Sequence, residues 1–280
     1  RHPPLDAEAI ATAIDDLGGG GSGHIGSHIE VLAETASTND LALAAGRDGA
    51  VEGWVVFAES QTAGRGRRGD PWLSPPRRDL LFSLLLRPDA EISRWPRLPQ
   101  VAALALCRAI DHLAPALRVE ARIKWPNDIW LGDRKVAGLL VDTDLQNEAP
   151  LAVLGIGLNV NSVDFSGELA ETATSLCLEA GRDGVSFDRN WLAARVLVEL
   201  GRLYPQGLDD EGFVEVREML HRRSCLLGRQ VSVDSASGKL CGTVSGFGDR
   251  GEMVLCDASG VDHTLHSADS VRPLSNSSSQ

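Results

Sequence analysis

No pair of cysteines in this 280-residue chain has C-x-x-C spacing, and the five present (Cys107, Cys177, Cys225, Cys241 and Cys256) are odd in number and scattered. That pattern argues against a disulfide framework and a zinc site, and predicts reduced, mostly packed thiols. His263 and His266 lie in an alternating, strand-like run without a carboxylate-and-cysteine cluster nearby, so no protein-held metal is expected. No apolar run approaches the ~20 residues that span a bilayer, and the N-terminal RHPPLDAEAI lacks the basic-then-apolar order of a signal peptide. The expectation is a cytoplasmic protein with no membrane partner. Positive charge is scarce as well: 27 Lys and Arg against 39 Asp and Glu leave a formal net charge of −12. Nucleic-acid surfaces neutralise phosphates with Lys and Arg, so DNA and RNA are not expected as partners.

Local basic spots stand out in so acidic a chain. There are two, Arg65 to Arg68 and the segment from Arg122 to Lys135. Around them the composition, 43% hydrophobic and 24% charged, is enough for one large domain and a small one. Residues 5 to 17 repeat apolar positions at helical spacing before GGGGSG at 18 to 23 breaks the pattern, which predicts a short leading helix on a flexible link. Ser37-Thr38-Asn39-Asp40 precedes LALAA and reads as a capped helix start, where one oxygen-bearing side chain suffices and three are present.

Runs at 54 to 60, 79 to 87, 119 to 125, 135 to 143 and 151 to 160 read as strands of a central sheet, the near-continuously apolar ones buried on both faces. Residues 95 to 113, 188 to 204 and 209 to 223 read as helices closing the domain. After Leu227 the text turns to short alternating runs punctuated by Gly, Asp and Ser, as in a small β-barrel. The predicted organisation is a leader over 1–28, a main α+β domain over 29–224 with a central mixed sheet packed with helices, a small barrel over 225–274 and a polar tail over 275–280.

Gly64-x-Gly66-x-x-Gly69 matches the dinucleotide fingerprint letter for letter. A Rossmann turn needs a helix immediately after its glycines, and here PWLSPPRRD follows with three prolines; a P-loop would need a closing Lys-Ser or Lys-Thr. An Arg-Gly tract for nucleic acid would repeat in basic surroundings, which it does not. The remaining readings are a solvated basic loop or a loop that folds over an anion, glycines letting backbone approach and guanidiniums clamping carboxylate or phosphate. Gln61 beside it offers an amide, and Trp72 can roof an apolar ligand. In the second basic spot Pro126-Asn127-Asp128 is a turn signal between two strands, placing Lys124, Lys135 and a carboxylate at one end of a sheet.

Taken together, Ser37-Thr38-Asn39, Gln61, the Gly64 to Gly69 loop with Trp72, Lys124-Trp125-Pro126-Asn127-Asp128, Arg134-Lys135-x-Ala137-Gly138 and Gly155-Ile156-Gly157-x-Asn159 resemble, in that order, the biotin–protein ligases. The similarity runs from about Ile29 to Leu274. It implies a biotin- and ATP-binding catalytic domain over 29–224 and an SH3-like barrel after it. It also implies that biotin is activated as biotinyl-5′-AMP and passed to a lysine of a biotin carboxyl carrier domain, with Mg2+ held mainly by phosphates rather than by protein ligands. Carried over by position, Ser37, Thr38, Asn39 and Gln61 belong at the ureido end of biotin, and Arg65, Gly66 and Arg67 close over the carboxylate and new phosphodiester. Arg68 anchors the loop, Lys135 holds the carboxylate and Trp72 covers the adenylate. Lys124 supplies phosphate charge and Asp128 receives the incoming amine. Asn127 and Asn159 point to the nucleotide or to turn and strand-end structure. The short leader implies a form without an N-terminal DNA-binding module, either monomer or homodimer. Two alternatives stand beside this reading. One is a lipoate or octanoate ligase or transferase of the same superfamily, which the Arg-Gly loop and terminal barrel argue against. The other is a non-catalytic biotin-binding protein, which would have no need for Arg65, Arg67, Lys124 and Lys135 together.

Overall fold

The computed structural model describes residues 2–19, 24–113, 115–146, 149–181, 185–235 and 238–274. Residues 20–23 of the expected glycine link and the tail 275–280 lie outside the described residues. Seven strands form the central sheet: β1 (His28–Leu32), β2 (Trp54–Ala58), β3 (Leu80–Leu86), β4 (Ala121–Lys124), β5 (Asp128–Leu131), β6 (Arg134–Asp144) and β7 (Leu151–Leu158). They are ordered β1-β2-β3-β7-β6-β5-β4, with β1 and β2 parallel and the other neighbours antiparallel. The mixed sheet is therefore as expected, with β1 and β5 added. HIEVL and DIWL are short and lack clear alternation, which is why neither was legible as a strand.

Helices α1 (Ala7–Asp16), α2 (Thr38–Arg47), α3 (Leu98–Asp111), the short α4 (Leu169–Thr172) and α5 (Leu176–Ala180), α6 (Arg189–Leu208) and α7 (Asp210–Arg223) complete the domain. Aspartates start three of them: Asp6, Asp188 and Asp209 accept N–H bonds from Ala9, Asn190 and Gly212 at 2.8, 2.9 and 2.8 Å. Helices α1, α3, α6 and α7 share one large core with one face of the sheet, while Ala42 of α2 packs with Trp54, Val56, Leu85, Leu151 and Val153 on the other. The leading helix is thus not a loose appendage. Ile10 and Ile14, one turn apart, are buried in the main core, and the chain before them is pinned where Leu5 N–H donates to Glu59 at 2.6 Å.

The C-terminal strands β8 (Gln230–Ser235), β9 (Gly238–Phe247), β10 (Met253–Cys256), β11 (Asp262–Leu265) and β12 (Ser270–Pro273) form a second, antiparallel sheet in the order β11-β10-β9-β8-β12. Alternation along them turns Val231, Val233, Val244, Met253, Leu255 and Val271 into a separate small core. Trp125, from the turn after β4, is buried in that same cluster, and its indole N–H donates to Gly251 O at 2.9 Å. The five cysteines are free: Cys107 and Cys177 are buried, Cys225 and Cys256 half-buried and Cys241 exposed. Complete burial pushes the Cys107 thiol far above its ordinary range, so it is inert.

Candidate functional site

Side-chain alternation decides where the sheet opens. On β7, Ala152, Leu154, Ile156 and Leu158 enter the large core, while Leu151 and Val153 pack against α2. The next two positions on the α2 side are Gly155 and Gly157, and Gly138 of β6 pairs with Gly157. Bare backbone at these positions, beside the N-terminus of α2, floors a cavity of about 340 Å3. The glycines are required by their neighbours. A Cβ on Gly155 would stand 2.0 Å from Asn39 Oδ1, and one on Gly157 2.4 Å from the Trp72 ring.

A polar corner lies at the head of α2. Ser37 caps the helix through Asp40 N–H at 3.4 Å, and Gln61 Oε1 accepts from both Thr38 N–H (2.7 Å) and Thr38 Oγ1 (3.1 Å). Ser83 Oγ, fully buried on β3, lies 2.8 Å from Thr38 Oγ1 and donates to Asn39 Oδ1 at 2.5 Å. Asn39 in turn donates to Asp142 Oδ2 at 2.9 Å. Three oxygen-bearing residues at one cap are explained by this network: one caps, and two build the corner.

Residues 61 to 72 form a small hairpin rather than an open coil. Gly66 N–H donates to Asp70 O at 2.7 Å and Trp72 N–H to Gly64 O at 2.9 Å, with Arg68 (φ 66°) and Gly69 (φ 80°) turning left-handed at the tip. The three arginines diverge. Arg65 bridges Asp40 (2.6 Å) and Asp142 (3.0 Å), and the hydrogen bond to Asp40 holds its guanidinium above its ordinary pKa. Arg68 reaches the second domain, donating to Asp269 O at 3.1 Å with Asp269 Oδ1 3.7 Å away. Arg67 has no side-chain partner among the described residues, and burial lowers its pKa. Trp72 lies over Gly138 and Gly157 with its indole N–H buried and unpaired among the described residues.

The β4–β5 turn forms the facing wall. Asn127 clamps it to β6, donating from Nδ2 to Leu139 O at 2.5 Å while its own carbonyl takes Leu139 N–H at 2.9 Å. Asp128 pairs with Lys135 at 2.7 Å. Lys124 has no carboxylate partner among the described residues; its ammonium lies 4.2 Å from the Trp130 ring centroid, and burial lowers its pKa against the pull of Asp128.

Thirteen of the fourteen residues named from sequence line this one cavity. Asn159 does not: it is buried behind it, its amide donating to Thr174 O at 2.9 Å, because it closes the turn between β7 and the segment before α5. Gly66 lines the cavity, yet its N–H is already given to Asp70. Sequence reading missed Ser83, Asp40 and Asp142, and the stretch Ala268 to Arg272 that brings the second domain to the rim. An acid two positions beyond Leu140 in a buried strand was a signal for Asp142; nothing local marked Ala268 to Arg272.

A glycine-floored cavity, a polar corner and two half-buried cations without a carboxylate pair among the described residues offer apolar, polar and positively charged surface to one ligand. Comparison with known proteins narrows this. Residues 31–159 match the biotin/lipoate A/B protein ligase family. The biotin–[acetyl-CoA-carboxylase] ligase of Mycobacterium tuberculosis is 35% identical over 260 residues, covering 91% of each chain. The bifunctional ligase/repressor BirA of Bacillus subtilis is 31% identical over 248 residues, 88% of this chain and 74% of that one. Among solved structures, the Aquifex aeolicus biotin protein ligase in complex with biotin and ATP superposes with a TM-score of 0.76 at 27% identity, covering 88% of this chain and 99% of that one. The chain belongs to the biotin/lipoate A/B protein ligase family. Within it, the Mycobacterium tuberculosis and Aquifex aeolicus relatives are both biotin ligases.

Proposed function

We propose that the cavity joins biotin to ATP and passes the product to a protein lysine; the chain is an enzyme, a biotin–protein ligase. The observation that carries this reading is the pair Arg67 and Lys124, two cations that burial penalises more than nearby Asp128 offsets and that form no ion pair with a carboxylate among the described residues. Such charges are retained where an anion is the missing partner. In the first step a carboxylate oxygen of biotin attacks the α-phosphorus of ATP and pyrophosphate leaves, giving biotinyl-5′-AMP. In the second the acceptor's lysine amine attacks the acyl carbon and AMP leaves.

Ser37, Thr38, Asn39 and Gln61 meet the ureido ring, where both donors and acceptors are needed; the Gln61 amide nitrogen has no partner among the described residues. Lys135 turns to the carboxylate, which leaves Asp128 to receive the attacking amine. Arg67 and Lys124 neutralise phosphate charge as it builds, and Trp72 keeps water from the mixed anhydride. Mg2+ arrives with the nucleotide: no group of three or more His, Cys, Asp or Glu able to hold a metal is found among the described residues, and Asp128 and Asp269 already face cations. Bound to the phosphates it would offset their charge. The acceptor is a biotin carboxyl carrier domain, and the setting the cytoplasm. Separately, no helix among the described residues is long and apolar enough to cross a membrane.

The test is pyrophosphate release with ATP and Mg2+, comparing biotin, lipoate and octanoate, followed by the mass of an added carrier domain. Release with biotin and a matching mass gain are expected. Release only with lipoate or octanoate would move the chain to the other side of its family.

A further inference from the structure

The guanidinium of Arg65 is held by carboxylates from two elements far apart in the chain. Nη1 lies 2.6 Å from Asp40 Oδ1 in the first turn of α2, and Nη2 lies 3.0 Å from Asp142 Oδ2 on β6. Two negative charges surround one positive one, so a third anion gains little from Arg65. Its role therefore differs from that of the unpaired Arg67. The same Asp142 oxygen accepts from Asn39 Nδ2 at 2.9 Å, and Asn39 Oδ1 takes the Ser83 hydroxyl at 2.5 Å. Asn39 has little room to turn, because its amide sits against the backbone of Gly155. One carboxylate oxygen thus serves both the polar corner and the loop.

We infer that Asp142 and Asp40 are positioning residues: through Arg65 they hold the hairpin of residues 61 to 72 against α2 and β6, and Asp142 links occupancy of the polar corner to closure of that hairpin. The inference rests on the reading of the cavity as a biotin and ATP site. A head group that bonds to the corner fixes Asn39, and Asn39 fixes the oxygen to which Arg65 is tied. An acid lacking that head group leaves the hairpin on its ion pairs alone. These pairs are partly exposed, with side-chain exposures of 32% for Arg65, 28% for Asp142 and 56% for Asp40, so salt weakens them.

Asp142→Asn keeps the acceptor for Asn39 and removes the charge facing Arg65. The full-length protein is digested briefly with trypsin, with and without biotin, and cleavage after Arg65, Arg67 and Arg68 is followed by mass. In Asp142→Asn, ligand-free cleavage should rise about two- to fivefold, the scale of one or two half-exposed ion pairs, and biotin should protect less than it does the parent. The KM for biotin should rise by a similar factor with kcat nearly unchanged, and Arg65→Lys, which keeps the charge without the fork, should fall between. Asp40→Asn, on an exposed helix turn, gives a smaller change in the same direction and keeps the test available if Asp142→Asn folds poorly. Cleavage and KM equal to the parent in both variants, or a fall in kcat with cleavage unchanged, would overturn the inference. Ligand-free digestion needs no substrate, so a parent without biotin-dependent pyrophosphate release would sink the functional reading while digestion still decides the latch.

Discussion

At the scale of single residues, Lys124 shows stability and function pulling apart. Burial lowers its pKa, so the unfolded chain binds this proton more tightly than the native one between the depressed value and the ordinary 10.5. Stability contributed at this position therefore rises with pH across that window, as the half-buried ammonium loses its unfavourable charge. Under the proposed role activity runs the other way, since only the protonated lysine would offset phosphate. The kcat/KM for biotin-dependent pyrophosphate release should fall on the alkaline side below the usual lysine range while the melting temperature falls less than in Lys124→Met. The same Lys124→Met variant should melt higher than the parent at neutral pH and release pyrophosphate about 10²- to 10³-fold more slowly, the scale for losing one preorganised charge. A lower melting point would contradict the burial argument; an unchanged rate would remove Lys124 from the phosphate site.

At the scale of elements, β7 carries two programmes on its two faces. One face is Ala152, Leu154, Ile156 and Leu158, the other Leu151, Val153, Gly155 and Gly157, and the change from branched to bare marks where α2 stops covering the sheet. Gly157→Ala should leave the strand paired but push the Trp72 ring off the floor, because the new methyl would meet it at 2.4 Å. The expected readout is an altered tryptophan emission, a weaker response to biotin and a loss of about 1–3 kcal/mol in stability from overpacking. Unchanged emission and biotin response would mean that Trp72 does not rest on that glycine. Helix α1 makes the opposite point. Its periodicity was legible, but its place was not: Ile10 is 0% exposed, so Ile10→Ala should destabilise the whole main domain by about 2–5 kcal/mol in urea titration. A shift below about 0.5 kcal/mol, the level of a surface change, would restore the picture of a detachable leader.

At the scale of the molecule, the two domains meet at the site. Trp125 belongs by sequence to the β4–β5 turn and by packing to the C-terminal core, and Gln100 Nε2 of α3 donates to the same Gly251 carbonyl at 3.0 Å. Arg97 adds a bond from Nε to Asp249 O at 2.7 Å, and Arg68 ties the loop tip to Asp269. The second domain thus steadies both the turn holding Lys124 and Asp128 and the hairpin holding Arg67. Trp125→Ala should lower the melting temperature, separate the C-terminal sheet from the main domain as a distinct calorimetric transition, and slow biotin activation. A single transition at the parental temperature would show the two domains to be coupled elsewhere.

Much of this was readable in one dimension. Apolar runs long enough to be buried on both faces foretold the sheet, the cap at Ser37 foretold the start of α2, and thirteen of the fourteen residues named from the ordered motifs line one cavity. Those features are local, set by the chemistry of neighbours a few residues apart. The fate of each arginine in GRGRRG is not local. Arg65 bonds to Asp142 77 residues away and Arg68 to Asp269 201 residues away, while Arg67 bonds to neither, although all three are identical side chains on one hairpin. Asn159 turns inward and Asp142 turns toward the site for the same reason. Pairing of charges and amides falls off within a few ångströms, and which groups come that close is decided by how the sheet, α2 and the second domain pack.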